Sequence, residues 1–279
     1  MRGEFVDVGN TRLYYYASGT RGGGEPVLFV HGFPTSSHLW ARVVPLVPPG
    51  HRVVVPDLLG FGRSDPPPRG ATAGTLTVDA HARRLTDLVD VLGISTLCLV
   101  GHGIGAAIAL EMARANPKRV TRLVLVSPVF SLVQSTVAHR ALRIILPLAR
   151  LVPASWTLGV LHRRLARLYR GSSTHDQPID HYLRPFSGPG GVGTLVAHVR
   201  GLAPSPARSL QRQGVPPSQA SLRVTIVRGA DDVLLSRDGA ENVRAQLAGR
   251  SVAEISGGHF CPEESPEQLA QVLRRDLMS

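Results

Sequence analysis

The strongest constraint in this chain is a glycine-rich turn set between a strand and a helix. Thr96-Leu-Cys-Leu-Val100 is a short apolar run of β-prone residues. Gly101-His102-Gly103-Ile104-Gly105 follows at once, and Ala106-Ala-Ile-Ala-Leu-Glu-Met-Ala113 then reads as helix. A strand that turns this sharply into a helix puts the central residue at the end of a sheet, beside a helix N-terminus. That central residue, Gly103, has no side chain to offer.

The rest of the chain repeats the same grammar. Pro26–Val30, Arg52–Val55, Thr121–Val126, Leu222–Val227 and Ser251–Ile255 read as strands. Helical spacing appears over Val78–Leu92, stopped by Gly93, and over Asp238–Leu247 and Pro266–Leu277. His38–Val47 reads as a short helix, and Phe5–Val8 with Thr11–Tyr16 as an opening hairpin across Gly9-Asn10. Strands alternating with helices predict a mostly parallel sheet covered on both faces. The alternation breaks from Val129 to about Pro217, where helical fragments are separated by Pro and Gly clusters. Residues 1–128 and 218–279 are therefore expected to form an α/β core, with 129–217 an inserted helical cap. Ser187–Gly193 is expected to be a mobile loop.

With 279 residues and 43% of them hydrophobic, the chain can bury one large core. Its net charge is +11, and Lys118 is the only lysine, an arginine bias that suits a GC-rich genome. Residues 130–215 hold eleven Arg against Asp176 and Asp180, so this third of the chain carries +9. Such a segment suits an anionic substrate or an acidic carrier protein, although a soluble arginine-rich surface explains it as well. No nucleic-acid partner is expected. No apolar run reaches the length of a membrane span, and the N-terminus lacks the apolar stretch of a signal peptide. Cys98 and Cys261 are far apart in sequence, so a reducing cytoplasm is the expected compartment. Neither the cysteines nor the histidines have metal-ligand spacing, and no metal or other cofactor is expected.

Four landmarks occur in a fixed order. They are His31-Gly-Phe-Pro-Thr-Ser-Ser-His-Leu-Trp40, Asp57-Leu-Leu-Gly-Phe-Gly-Arg-Ser-Asp65, the glycine-rich turn, and Gly229-Ala-Asp-Asp-Val233 with Gly257-Gly-His-Phe260. Together they resemble the α/β-hydrolase superfamily, over essentially the whole chain outside the cap. The first two look most like its epoxide hydrolase and haloalkane dehalogenase branch. The turn resembles that family's nucleophile elbow, Gly-x-Ser-x-Gly, with Gly103 where the nucleophile stands.

The resemblance implies the remaining roles. His259 matches the family's base and Asp232 its acid, with Asp231 the neighbouring alternative. The N–H groups of Phe33 and Ile104 match the oxyanion hole, which needs no side chain. His31, His102 and Asp57 read as structural, and Ser36 and Ser37 as helix caps. Epoxide hydrolases of this fold use two cap tyrosines, a role that Tyr169 or Tyr182 could take here; both also read as ordinary core residues. The cap leucines, Trp156 and the scarcity of acids suggest an apolar pocket with a cationic rim, suited to a hydrophobic carboxylate or a polyketide-like molecule. Without a side chain at 103, no acyl- or alkyl-enzyme can form there. Three functions remain open: a non-covalent acid/base enzyme, a hydrolase whose Ser or Asp was replaced by Gly, and a binding protein without catalysis.

Overall fold

A computed structural model describes residues 2–19, 23–68, 73–130, 151–170, 178–202, 222–247 and 251–278. Eight strands form one sheet in the order β1-β2-β4-β3-β5-β6-β7-β8. They are β1 (Arg2–Val8), β2 (Thr11–Ser18), β3 (Gly24–Val30), β4 (His51–Pro56), β5 (Leu97–His102), β6 (Val120–Val126), β7 (Arg223–Gly229) and β8 (Ser251–Ile255). The opening hairpin closes at Val8 and Thr11, and β2 also pairs antiparallel with β4. From β4 onward every neighbouring pair is parallel. Central β5 is buried at every residue, which is why it reads as an unbroken apolar run.

The described α-helices are α1 (Val78–Val91), α2 (Ile104–Ala115), α3 (Ala154–Ala166), α4 (Ile179–Leu183), α5 (Gly191–Leu202), α6 (Arg237–Gln246), α7 (Cys261–Glu264) and α8 (Pro266–Met278). Helix α1 starts where the Thr77 hydroxyl accepts from the Ala80 N–H, and Gly93 ends it at φ +65°. Its Leu85, Leu88 and Val89 enter the core. Helix α2 buries all but a few residues, because it lies directly against β5 and β6.

Two expectations are corrected. His38–Val47 is not one helix but two short 3₁₀ turns, Ser37–Trp40 and Val44–Leu46. Pro45 has no N–H to give, so a continuous α-helix would lose a bond there. The Ser187–Gly193 stretch is only partly a turn, since Gly191 opens α5. A Cβ at Gly191 would stand 2.3 Å from the Phe186 carbonyl oxygen, so glycine is what lets the helix start so close.

Between β6 and β7 the described secondary structure is helical, α3 to α5. Both expected ends of the insertion, near 129 and 217, adjoin or fall within 131–150 and 203–221, outside the described residues. Among the described residues no helix is long and apolar enough to cross a membrane. Cys98 and Cys261 are both buried free thiols.

Candidate active site

The turn after β5 is built by close approach. A Cβ at Gly101 would stand 2.5 Å from the Gly105 carbonyl oxygen, and one at Gly105 would stand 2.4 Å from the His31 carbonyl oxygen. Both glycines are therefore needed to seat α2 against β5 and the loop after β3. Gly103 differs. Its φ is +56° and ψ −124°, a region that residues with side chains rarely adopt, yet there is room. A Cβ built on it would meet His259 Nε2 at 3.4 Å and the Gly32 Cα at 3.9 Å, ordinary contacts. Gly103, the loop leading to Phe33, and His259 thus meet at one point. Ile104 opens α2, where the first N–H groups have no partner in the preceding turn.

His259 is held from three sides. Its Nδ1–H donates to Asp232 Oδ2 at 3.1 Å, leaving Nε2 on the Gly103 side. Its backbone N–H donates to the Leu168 carbonyl at 2.9 Å. Its carbonyl accepts from His102 Nε2–H at 2.8 Å. Burial drives the His102 imidazole down to about 3, with the neighbouring His259 adding to the effect, so His102 is a neutral brace.

Asp232 is buried, whereas Asp231, the alternative acid, is exposed. The second oxygen of Asp232 accepts from the Leu234 and Leu235 N–H groups at 2.8 and 3.3 Å. Burial pushes this carboxyl up. The hydrogen bond and charge of His259, with the Leu234 N–H and the Ser127 hydroxyl, outweigh it and hold the carboxyl below its ordinary value. Asp232 is therefore an anion at neutral pH, suited to fixing the His259 tautomer.

The other landmarks make structural contacts, and one of their readings, Ser37 as a cap, is corrected. His31 Nε2 accepts from the Leu58 N–H at 2.9 Å. Asp57 accepts from the Ser37 and Arg63 N–H groups at 2.7 and 2.8 Å, tying two loops together. The Ser36 hydroxyl caps the first 3₁₀ turn. Ser37 is the first residue of that turn, not its cap.

The three other site candidates have different surroundings from those their proposed roles need. Trp156 is 72% exposed on α3 and does not join this group. Tyr169 and Tyr182 are buried, and both hydroxyls donate to the Glu263 carboxylate, so neither is free to grip a substrate oxygen. Glu263, unremarked in the sequence, is thus the tie between these tyrosines and the His259 loop. Burial lifts its carboxyl to about 7 against the pull of the two tyrosine hydrogen bonds. Its neighbour Glu264 accepts from the Gly258 and Arg170 N–H groups at 2.8 and 2.7 Å, a second tie across the same seam. Among the described residues no cluster of three His, Cys, Asp or Glu is placed to hold a metal.

A sheet of this order, with a tight turn after β5, a buried acid after β7 and a histidine after β8, defines an α/β-hydrolase architecture. The family described as the alpha/beta hydrolase fold matches residues 25–266, and the chain belongs to it. An uncharacterized protein of Mycobacterium tuberculosis is 28% identical over 274 residues, covering 91% of this chain and 75% of that one. A haloalkane dehalogenase of Mesorhizobium japonicum is 38% identical over 104 residues, 36% of this chain and 31% of the enzyme. A solved thermophilic esterase from Thermogutta terrifontis superposes with a TM-score of 0.80 at 24% identity, covering 100% of this chain and 98% of the esterase. The fold is that of hydrolases, and the family consists generally of enzymes.

Proposed function

We propose that this chain is an α/β-hydrolase-fold enzyme that works without a covalent nucleophile. Gly103 stands in the nucleophile's place. His259, oriented by Asp232, takes or delivers a proton, and the Phe33 and Ile104 N–H groups hold the oxygen on which charge develops. The observation that carries this reading is the Nε2 of His259, 3.4 Å from where a side chain on Gly103 would begin. A base and its acid lie beside the helix N-terminus at Gly103, and a substrate or a water is read as taking the place of the missing side chain. Cyclisation, elimination, carbon–carbon cleavage and water-assisted hydrolysis are the reactions such a site supports. The helices between β6 and β7 are read as a cap over it. The substrate is read as a hydrophobic small molecule, polyketide-like in character, with an anionic group suiting the basic segment.

A second reading, a serine or aspartate hydrolase carrying a nucleophile-to-glycine replacement, is favoured by the same room at position 103. Comparing Gly103→Ser and Gly103→Asp with the parent separates the two. The non-covalent enzyme loses its turnover in both variants, because the new side chain fills the space the substrate needs. A replaced hydrolase gains ester or epoxide turnover by orders of magnitude, since a triad without its nucleophile is about 10⁶-fold slower. A chain with no turnover in any form is a binding protein, and the proposal then fails.

A further inference from the structure

Helix α3 has two faces of opposite character. Leu165 is buried, and Leu158 and Leu161 pack partly buried against the core. The other face carries Trp156, Val160, Arg163 and Arg167, spaced i, i+4, i+7 and i+11, which at 3.6 residues per turn is one narrow stripe. All four are exposed, as are Leu151 and Val152 just before the helix and Arg164 beside the stripe. The apolar residues occupy the N-terminal half and the arginines the C-terminal half. Among the described residues none of Arg163, Arg164 and Arg167 is in an ion pair. An exposed tryptophan beside exposed arginines asks for an environment that takes both.

We propose that the outer face of α3, with Leu151 and Val152, docks on an anionic lipid surface. Trp156, Val160 and the two preceding aliphatics enter the level of the headgroups and upper acyl chains. Arg163, Arg164 and Arg167 hold lipid phosphates through their forked N–H groups. Charge complementarity selects the occupant, because this face presents Arg163, Arg164 and Arg167 and helix α3 carries no acidic residue. The shape selects it too. A specific protein partner needs about 800 Å² of complementary surface on each side, whereas a lipid surface accepts a narrow stripe without a matching relief. The proposal is independent of the reading of His259 and Gly103.

The chain supplies its own reporter. It has two tryptophans, Trp40 wholly buried and Trp156 at 72% exposure, so a change in exposed-tryptophan emission reports Trp156. The full chain is titrated with phosphatidylcholine vesicles, with and without phosphatidylglycerol. The expected result is a blue shift, and quenching by brominated acyl chains, with the phosphatidylglycerol vesicles alone, reversed by added salt. Arg163→Glu with Arg167→Glu should weaken vesicle binding at least tenfold, each lost arginine alone accounting for about fivefold. Trp156→Ala should abolish the shift and weaken co-sedimentation. All three positions are exposed, so the variants should melt as the parent does. The proposal is overturned if Trp156 emission ignores anionic vesicles at low salt, or if the charge-reversed variant binds as well as the parent. It is equally overturned if polyglutamate shifts the emission and the vesicles do not, which would make the partner an acidic protein.

Discussion

Two histidines sit buried at the seam between α1 and α5, and their protonation should set how stability depends on pH. His81 on α1 and His198 on α5 stack with ring centroids 6.0 Å apart, and among the described residues none of their four ring nitrogens has a hydrogen-bond partner. His198 also lies 4.1 Å from the Phe61 ring. Burial drives His198 down to about 3, aided by the charges of His31 and Arg84, and drives His81 well below its ordinary value, aided by His198, Arg84 and His31. In the unfolded chain a histidine titrates near 6.5. A folded-state value below the unfolded one means the unfolded chain binds the proton more tightly. Stability is therefore present above about 6.5 and is lost as pH falls below it.

Between pH 7 and 5 an unfolded histidine becomes almost fully protonated while buried His198 stays neutral, which amounts to about 2 kcal/mol for this one residue. Glu263 acts in the opposite sense over part of the range, because its raised carboxyl keeps a proton that the unfolded chain releases. The difference between two proteins, not the total, is then the clean readout. His198→Leu removes the titrating ring at similar volume. Urea unfolding at pH 7 and pH 5 should show the parent losing about 2 kcal/mol more than the variant. An equal loss in both proteins would refute the reasoning, as would a larger loss in the variant.

Three further outcomes follow from the site. Gly105→Ala should destabilise the fold strongly, because its Cβ would stand 2.4 Å from the His31 carbonyl oxygen; thermal unfolding measures this. Glu263→Ala leaves two buried tyrosine hydroxyls without an acceptor, at about 1–3 kcal/mol each, and should appear as a lowered urea midpoint. Asp232→Asn should keep the fold but release the His259 tautomer, lowering kcat by up to about 10⁴-fold on any substrate the parent turns over.

The sheet was legible because its central strands are covered on both faces and read as apolar runs. The C-terminal end of α1 was legible because Gly93 does the chemistry of stopping a helix. Motifs pointed to Asp232, His259 and the turn at Gly103, and the fold brings these three together. Motif position favoured Asp232 over Asp231 but could not show burial, which depends on which one the turn after β7 rotates inward. It also passed over Glu263. A glutamate in the first turn of a helix looks like a solvated dipole partner, and only the fold brings Tyr169 and Tyr182 onto it. Trp156 was weighed as a pocket residue because it is a large aromatic in a leucine-rich segment. The phase of α3 turns it outward instead.

The central claim is that an assembled proton-transfer site surrounds a place with no nucleophile. Intact mass after incubation with a fluorophosphonate tests it most directly, using the parent and Gly103→Ser side by side. The account predicts that the parent stays unlabelled and that Gly103→Ser gains one adduct, because His259, Asp232 and the two N–H groups are ready to activate a hydroxyl placed there. A labelled parent would contradict the account by revealing another nucleophile. A folded but unlabelled Gly103→Ser would contradict it by showing that these groups do not converge.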